Sequence, residues 1–165
     1  MNRPLIVGVM GGAQVDADTL EAAYQLGVLI ARQGWVLLNG GRRAGVMDAS
    51  ARGASDQGGL TVGVLPDENA SQASPHVKIP ICTGMGGARN VVNVLSSNVV
   101  VACRGGAGTV SEIALALKYG KTVITLDFDT GDLFRRYRLE GKLLDAETPD
   151  QAITIITRMF ERSGQ

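Results

Sequence analysis

The sequence has few of the residues on which several common chemistries depend. It contains one histidine, His76, two cysteines, one Trp, three Tyr and three Phe among 165 residues. A single histidine excludes a multi-histidine metal site, and Cys82 and Cys103 are not spaced as CxxC, so we expect no protein-ligated metal. Both cysteines end apolar runs. Paired thiol chemistry stays open, but buried free thiols are the favoured interpretation.

Charge and hydropathy argue against two large classes of partner. The chain has 16 Lys plus Arg and 16 Asp plus Glu, so no basic field attracts nucleic acid, and its few aromatic residues offer no base-stacking surface. No apolar run approaches the roughly 18–20 residues that cross a bilayer, and the N-terminal run is too short for a signal peptide. We therefore expect a cytoplasmic protein that binds neither nucleic acid nor membrane.

Short apolar runs alternate with helix-compatible segments along the chain. The runs are LIVGVM (5–10), WVLLN (35–39), LTVGVL (60–65), VKIPI (77–81), NVVVA (98–102) and TVITL (122–126). Helices are predicted at 18–33, 44–57, 87–97, 109–119 and about 149–161. Continuous apolar strands separated by helices are typical of a parallel sheet covered on both faces. The pattern predicts a single Rossmann-like, doubly wound α/β domain over residues 1–165.

Glycine clusters directly follow four of the predicted strands. They are Gly11-Gly12, Gly40-Gly41, Gly84 with Gly86-Gly87, and Gly105-Gly106 with Gly108. In doubly wound folds, ligands bind beyond the carboxyl ends of the strands. A single βα turn can need glycine for its own conformation. Four such clusters at one edge favour a phosphorylated ligand that approaches the main chain closely.

The glycine pattern does not match the usual nucleotide-binding motifs. The first turn reads Gly8-Val9-Met10-Gly11-Gly12 instead of GxGxxG, and the second strand ends in Asn39, where an NAD site usually offers Asp or Glu. The chain also lacks GxxxxGK[ST]. We therefore do not expect NAD or ATP to bind by the usual routes.

Arginine outnumbers lysine by 12 to 4, and four of the arginines fall in the same predicted loops. These are Arg42, Arg43, Arg89 and Arg104. Surface loops often carry arginine without any ligand. Four at one edge of a chain without net charge indicate an anionic ligand, because guanidinium groups form paired hydrogen bonds with phosphate oxygens.

Glu112 has two interpretations. The segment Thr109-Val110-Ser111-Glu112 matches a T-x-x-E capping box, in which Thr109 caps a helix and Glu112 bonds back to a backbone N–H. Alternatively, glycine amides and the helix N-terminus hold a phosphate, while Glu112 faces its sugar or ring and stabilises positive charge or activates water. The apolar helix beyond Glu112 indicates a subunit interface and so a homo-oligomer, either dimer or tetramer.

Two segments, GMGGARN (84–90) and RGGAGTVSE (104–112), resemble the Lonely Guy superfamily, whose motif runs PGGxGTxxE. That superfamily includes nucleoside-monophosphate phosphoribohydrolases. Within it, GVMGG, GWVLLNGGRRAGVMDAS, GLTVGVLP and LSSNVVVA are more similar to the molybdenum cofactor carrier proteins. The likeness covers roughly residues 5–127. Two positions depart from the hydrolase motif: Arg104 replaces Pro, and Asn90 replaces the usual Lys.

The resemblance implies two candidate functions. One is a carrier that binds molybdenum cofactor, a phosphorylated pterin, for molybdoenzymes that receive it. The other is a nucleoside 5′-monophosphate phosphoribohydrolase that releases the base and ribose 5-phosphate, with Arg89 and Glu112 as catalytic residues. For either function, the expected binding residues are Gly11, Gly12, Gly40, Gly41, Arg42, Arg43, Gly84, Met85, Gly86, Arg89, Asn90, Arg104, Gly105, Gly106, Gly108, Thr109 and Glu112. The polar segment 67–76 is either a lid over the ligand or an ordinary surface loop.

Overall fold

The computed structural model describes residues 3–161 and contains one parallel sheet. Its seven strands are β1 Ile6–Met10, β2 Val36–Asn39, β3 Thr61–Leu65, β4 Ile79–Cys82, β5 Val99–Ala102, β6 Thr122–Leu126 and β7 Leu143–Ala146. They lie side by side in the order β4-β3-β2-β1-β5-β6-β7, and every neighbouring pair is parallel. The predicted fold class is therefore confirmed.

Six helices cover the sheet within residues 3–161. They are α1 Ala17–Arg32, α2 Gly45–Asp56, α3 Asn90–Ser96, α4 Ala107–Lys118, α5 Arg135–Leu139 and α6 Pro149–Glu161. Side chains of α1, α2 and α6 share one buried cluster with β1, β2 and β5, whereas α3 and α4 belong to a second cluster on the opposite face. The helices thus lie on both faces, as a doubly wound sheet requires.

The central strands are apolar throughout because both of their faces are buried. In β1, Val7 and Val9 belong to the cluster with α1, while Met10 belongs to the cluster with α3 and α4. All four residues of β5 are buried. Each such aliphatic side chain contributes about 1.5–3 kcal/mol to stability on full burial.

Two local predictions need correction. The run at 143–146 was not among the predicted strands, since only Leu143 and Ala146 of this edge strand β7 are buried and its apolar signal is weak. Helix α1 begins at Ala17, one residue before the predicted start, since Asp16 is its N-cap and the Asp16 Oδ1 accepts a hydrogen bond from the Thr19 N–H at 2.8 Å.

The order of the strands fixes where a ligand site is expected. The chain runs outward from β1 to β4 and then returns to place β5 on the other side of β1. This reversal creates a crevice between the loops that follow β1 and β5, which is where doubly wound folds bind their ligands. Among the described residues, no helix has the length and apolar character needed to span a membrane.

Candidate functional site

A cavity of about 530 Å³ opens at this crevice, above the carboxyl ends of β1, β2 and β3. Eleven of the residues expected from the sequence line it: Gly11, Gly12, Gly40, Arg42, Gly86, Arg89, Asn90, Gly106, Gly108, Thr109 and Glu112. The wall also includes residues that the sequence did not single out: Val9, Met10, Ala13, Met47 and Pro66. Four of them, all except Ala13, fall within segments that carry the family resemblance, but the sequence assigned none of the five a binding role, and only the fold shows that they line the cavity.

The other six expected residues lie outside the wall of this cavity. They are Gly41, Arg43, Gly84, Met85, Arg104 and Gly105. Gly41 and Gly84 lie in loops next to lining residues, and Met85 is 48% exposed just before a 3-10 turn. Arg43 is exposed to solvent. The structure therefore separates the expected binding residues into eleven that line the cavity and six that do not.

The loops that follow β1 and β5 pack closely against each other at Gly105. The Gly12 N–H donates a hydrogen bond of 3.0 Å to the Arg104 carbonyl, which joins the loop after β1 to the loop after β5. A methyl group at Gly105 would overlap the Thr109 hydroxyl and would come within 2.7 Å of the Gly12 nitrogen. Glycine at 105 is thus required by the packing of the protein itself.

Gly106 and Gly108 differ from Gly105 in this respect. A methyl group at either position would have no protein atom within 4 Å, and neither backbone has a positive φ. Gly106 is the N-cap of α4, and no side chain caps this helix. The first N–H groups of α4 therefore have no intrahelical partner and lie beside open space in the cavity. A helix N-terminus of this kind favours an anion.

The predicted capping box at Thr109 and Glu112 is wrong. Gly106 adopts an extended conformation, with φ −94° and ψ −153°, so α4 begins at Ala107 and Thr109 is its third residue. The Glu112 carboxylate does not turn back to the helix end. Its Oε1 accepts a hydrogen bond of 3.0 Å from the Nδ2 of Asn93 on α3. Capping of α4 therefore does not explain Glu112, whose hydrogen bond instead joins α4 to α3.

Glu112 is a buried carboxyl group at the cavity wall, with 8% of its surface exposed. Burial raises the pKa of Glu112, because the charged form loses hydration. The hydrogen bond from Asn93 and the positive charge of Arg89 both oppose this rise. The side chain can therefore carry a proton at a higher pH than an exposed glutamate.

Arg89 also lines this cavity and lies at the end of the 3-10 turn Gly86–Arg89. Its Nη1 donates a hydrogen bond of 2.7 Å to the Val64 carbonyl. A methyl group at Gly40 would overlap this guanidinium group, so the absence of a side chain at 40 creates the space for it. Burial lowers the pKa of Arg89, while Glu112 raises it, and a guanidinium group remains charged.

No direct ion pair joins Arg89 and Glu112 within residues 3–161. Arg89 lines the cavity with no carboxylate against it, and its only hydrogen bond to the rest of the described chain goes to a backbone carbonyl. A cation and a carboxyl group on one wall, beside an open helix N-terminus, can bind a phosphorylated molecule through several different groups at once.

Arg42 also lines the cavity but is partly neutralised. Its Nη2 lies 2.6 Å from the Asp67 Oδ1, and its Nε lies 3.2 Å from the Oδ2 of the same residue. Asp67 begins the segment 67–76, which is tied to the loop after β2 by hydrogen bonds from Ser74 N–H to Gly41 and from Arg43 N–H to Gln72. The segment is thus anchored beside the cavity.

Arg104 lies in a second cavity, on the other side of Gly105. This cavity, of about 1070 Å³, opens above β6 and β7. Arg104 donates to the Asp127 carbonyl and carboxylate at 2.7 and 2.8 Å, and it contacts Asp16 at 3.3 Å. Its hydrogen-bonding capacity is therefore largely used by the protein. The sequence offered no signal for these partners, which lie far along the chain.

The two cysteines have different environments. Cys103 is buried, and burial raises the pKa of its thiol to about 12, so it is an unreactive core residue. Cys82 is exposed on the edge strand β4, contrary to the expectation that both are buried. Both thiols are free, and neither lines the cavity. Residues 3–161 contain no cluster of three or more His, Cys, Asp or Glu side chains suited to a metal ion.

Two solved structures are similar to this chain over nearly all of its length. A molybdenum cofactor binding protein of Rippkaea orientalis has 48% sequence identity and a TM-score of 0.91, covering 96% of this chain and 98% of that chain. The molybdenum cofactor carrier protein of Chlamydomonas reinhardtii has 41% identity and a TM-score of 0.88, covering 96% of this chain and 99% of its own.

A more distant relative is an enzyme. A cytokinin riboside 5′-monophosphate phosphoribohydrolase of Mycobacterium marinum is 29% identical over 123 residues, which cover 70% of this chain and 66% of the relative. The sequence profile of the SLOG cluster4 family matches residues 4–153, most of the chain. The chain therefore belongs to the SLOG cluster4 family, a Lonely Guy-type family.

Proposed function

We propose that this protein binds molybdenum cofactor and carries it without cleaving it. The observation that carries the proposal is the open N-terminus of α4, where Gly106 and Gly108 leave space that no protein atom fills. This space would receive the terminal phosphate of the cofactor. The likeness to a molybdenum cofactor binding protein and a carrier protein over nearly the whole chain supports this choice of ligand.

The arginines would bind the remaining anionic parts of the ligand. Arg89 faces the cavity without a carboxylate partner, so it is the principal candidate, and Arg42 would contribute by sharing its charge between Asp67 and the ligand. Gly11, Gly12 and Gly40 would form the floor, where the main chain approaches the ligand closely. The protein would act in the cytoplasm and deliver the cofactor to molybdoenzymes.

We further propose that the protein is a homo-oligomer. Several large apolar side chains are exposed on β4 and near α3 and α4: Ile79 and Ile81, at 44% and 42%, and Leu95 and Tyr119, at 49% and 45%. A single chain would leave these groups in water, whereas association with a second copy would bury them. Sedimentation at several protein concentrations would show a dimer or tetramer, and a monomer throughout would contradict the proposal.

A phosphoribohydrolase is the second candidate, and one observation favours it. Arg89 and Glu112, the two residues that the resemblance implies as catalytic, line the same cavity as the open helix N-terminus. A nucleoside monophosphate with its phosphate at Gly106 would place its ribose toward Glu112, which lies about 1.7 helical turns further along α4. There the carboxyl group would stabilise the positive charge that develops as the glycosidic bond breaks.

One experiment separates the two candidates. Purified protein is incubated with AMP, and adenine release is followed by chromatography, while binding of 6-hydroxymethylpterin monophosphate is measured by calorimetry. The carrier proposal expects binding of the pterin without release of adenine. Release of adenine that disappears in Glu112→Gln would instead establish the hydrolase.

A further inference from the structure

Asn93 is a buried polar residue that the packing of the chain alone does not explain. It is 0% exposed, and its Nδ2 donates to the Glu112 Oε1 at 3.0 Å. Its Oδ1 has no hydrogen-bond partner in the described part of the chain. A buried amide oxygen without a partner is destabilising, and an apolar side chain of similar size would avoid that cost. The residue therefore requires an explanation beyond stability.

We propose that Asn93 is a positioning residue for the ligand site, which holds the Glu112 carboxylate in place at the wall of the cavity. This inference rests on the proposed function of the cavity as the ligand site. Asn93 does not line the cavity itself, so it acts through Glu112. Such outer partners fix the orientation of the groups that touch a ligand.

The position of Asn93 along the chain strengthens the inference. Arg89 ends the 3-10 turn that runs directly into α3, and Asn93 lies four residues later, one helical turn further on. One short segment therefore supplies both the cation that faces the cavity and the amide that holds Glu112. The hydrogen bond from Asn93 therefore ties Glu112 of α4 to the same segment that carries Arg89.

The chemistry of an amide suits this position. A lysine or arginine there would neutralise Glu112, and an apolar residue would leave the carboxylate without a donor. The amide instead stabilises the carboxylate through a hydrogen bond while leaving its charge available to a ligand. The other charged side chains of the cavity wall are Arg89 and Arg42, and Arg42 is paired with Asp67.

The first test needs no ligand. The pKa of Glu112 is measured by carbon NMR of protein labelled at glutamate, with Glu112→Gln used to assign the signal. Because the hydrogen bond from Asn93 lowers the pKa of Glu112, we expect Asn93→Leu to raise it further. Ser97→Ala is the matched control, since the Ser97 hydroxyl donates a hydrogen bond to the backbone carbonyl of Asn93 and not to its side-chain amide. An unchanged pKa in Asn93→Leu would overturn the proposal.

A second measurement uses the native chain and therefore does not depend on whether Asn93→Leu folds. The side-chain NH₂ signals of Asn93 are followed across the titration of Glu112. We expect them to shift with the same midpoint as the carboxyl signal and to become independent of pH in Glu112→Gln. Signals that do not move with the Glu112 titration would contradict the assigned contact.

The third test connects the contact with binding. The affinity for 6-hydroxymethylpterin monophosphate is compared for Asn93→Leu in the native background and in Glu112→Gln. A residue that acts through Glu112 should weaken binding about fivefold in the first background and less than about twofold in the second. Equal losses in both backgrounds would show that Asn93 does not act through Glu112. Absence of binding by the native chain would contradict the proposed function instead, while the NMR tests still decide the role of Asn93.

Discussion

The two cavities on either side of Gly105 both contain arginine side chains, but these differ in whether a carboxylate of the protein pairs with them. In the larger cavity, Arg104 contacts Asp16 and Asp127, and Arg138 lies 2.9 Å from Asp145. In the smaller cavity, Arg89 bonds to a backbone carbonyl and forms no ion pair within residues 3–161, although Glu112 of the same cavity wall raises its pKa. Both arginines of the larger cavity are therefore paired with carboxylates of the protein, and its wall carries further acidic side chains, whereas Arg89 of the smaller cavity has no ion-pair partner in the described part of the chain.

This difference shows that the number of arginines near a sheet edge does not by itself define an anion site. The partners of each arginine decide whether its charge is available. Arg42 is intermediate, since Asp67 occupies one side of its guanidinium group. Variants at Arg89, Gly40 and Gly106 change the smaller cavity, whereas Arg104→Ala changes the larger one, so their effects on ligand affinity should differ.

The largest effect is expected from Gly106→Asp. The new carboxylate would occupy the open helix N-terminus and repel a phosphate, so we expect binding of 6-hydroxymethylpterin monophosphate to fall by about 100-fold or more. The side chain meets no protein atom within 4 Å at its first carbon, and Asp is a good N-cap, so stability should be unchanged or slightly higher.

Gly105→Ala is the matched control for that variant. Here the added methyl group overlaps Thr109 and presses on the Gly12 backbone, so we expect a loss of about 1–3 kcal/mol in unfolding free energy. Calorimetric titration measures the ligand affinity of each variant, and urea denaturation measures its unfolding free energy. Equal losses of stability in Gly105→Ala and Gly106→Asp would contradict the distinction between a packed and an open glycine.

The second effect compares one arginine from each cavity. Arg89→Ala should reduce pterin-phosphate affinity by about 10- to 100-fold, because a charge-assisted hydrogen bond contributes about 1.5–3 kcal/mol. Arg104→Ala should change the affinity by less than about threefold, because Arg104 lies outside the wall of the smaller cavity and is paired with Asp16 and Asp127. A larger loss in Arg104→Ala than in Arg89→Ala would reverse the assignment.

The third effect tests how Arg89 is placed. A methyl group at Gly40 would overlap the Arg89 guanidinium group, so Gly40→Ala should displace that group and weaken binding about tenfold. In the Arg89→Ala background the same change should have little further effect. Affinities of the four proteins in this cycle measure the coupling, and simple additivity would show that Gly40 acts through something other than Arg89.

The smallest effect concerns pH. Burial raises the pKa of Glu112 in the folded chain above its ordinary value of 4.5. Between that value and the raised pKa, the folded chain binds more protons than the unfolded chain, so stability falls as the pH increases through this window. The fall is at most about 1.4 kcal/mol for each pH unit within it.

Glu112→Gln supplies the comparison for this pH effect. We expect the fall in stability across the window to be smaller in the variant than in the native chain, because the titrating group is gone. Urea denaturation at a series of pH values measures both slopes. Parallel slopes in the two proteins would mean that the pKa of Glu112 is not raised by folding.

The sequence predicted the sheet well because buried parallel strands are continuous apolar runs. β1, β2, β3, β5 and β6 all lie within runs that the hydropathy pattern identifies. The hydropathy pattern did not predict the edge strand β7, since this strand contains Asp145 and buries only two of its four residues. The glycine clusters also located the cavity, because loops that follow parallel strands meet at one edge of the sheet.

The pairing of charged groups could not be predicted in this way. Arg104 reaches Asp16 and Asp127, which are 88 and 23 residues away, and no local spacing indicates such contacts. The capping box failed because its T-x-x-E pattern fitted a helix that starts at Thr109, whereas α4 is capped by Gly106 and begins at Ala107. Asn93 escaped notice as a partner of Glu112 because the two lie on different helices.

The proposed function places the phosphate of molybdenum cofactor in the cavity beside α4 and not in the neighbouring cavity. The most direct test is a fluorescence titration of the native chain, Gly106→Asp and Arg104→Ala with the cofactor under anaerobic conditions. We expect binding by the native chain and by Arg104→Ala, with binding lost in Gly106→Asp. Full binding by Gly106→Asp, or its loss in Arg104→Ala alone, would contradict this placement.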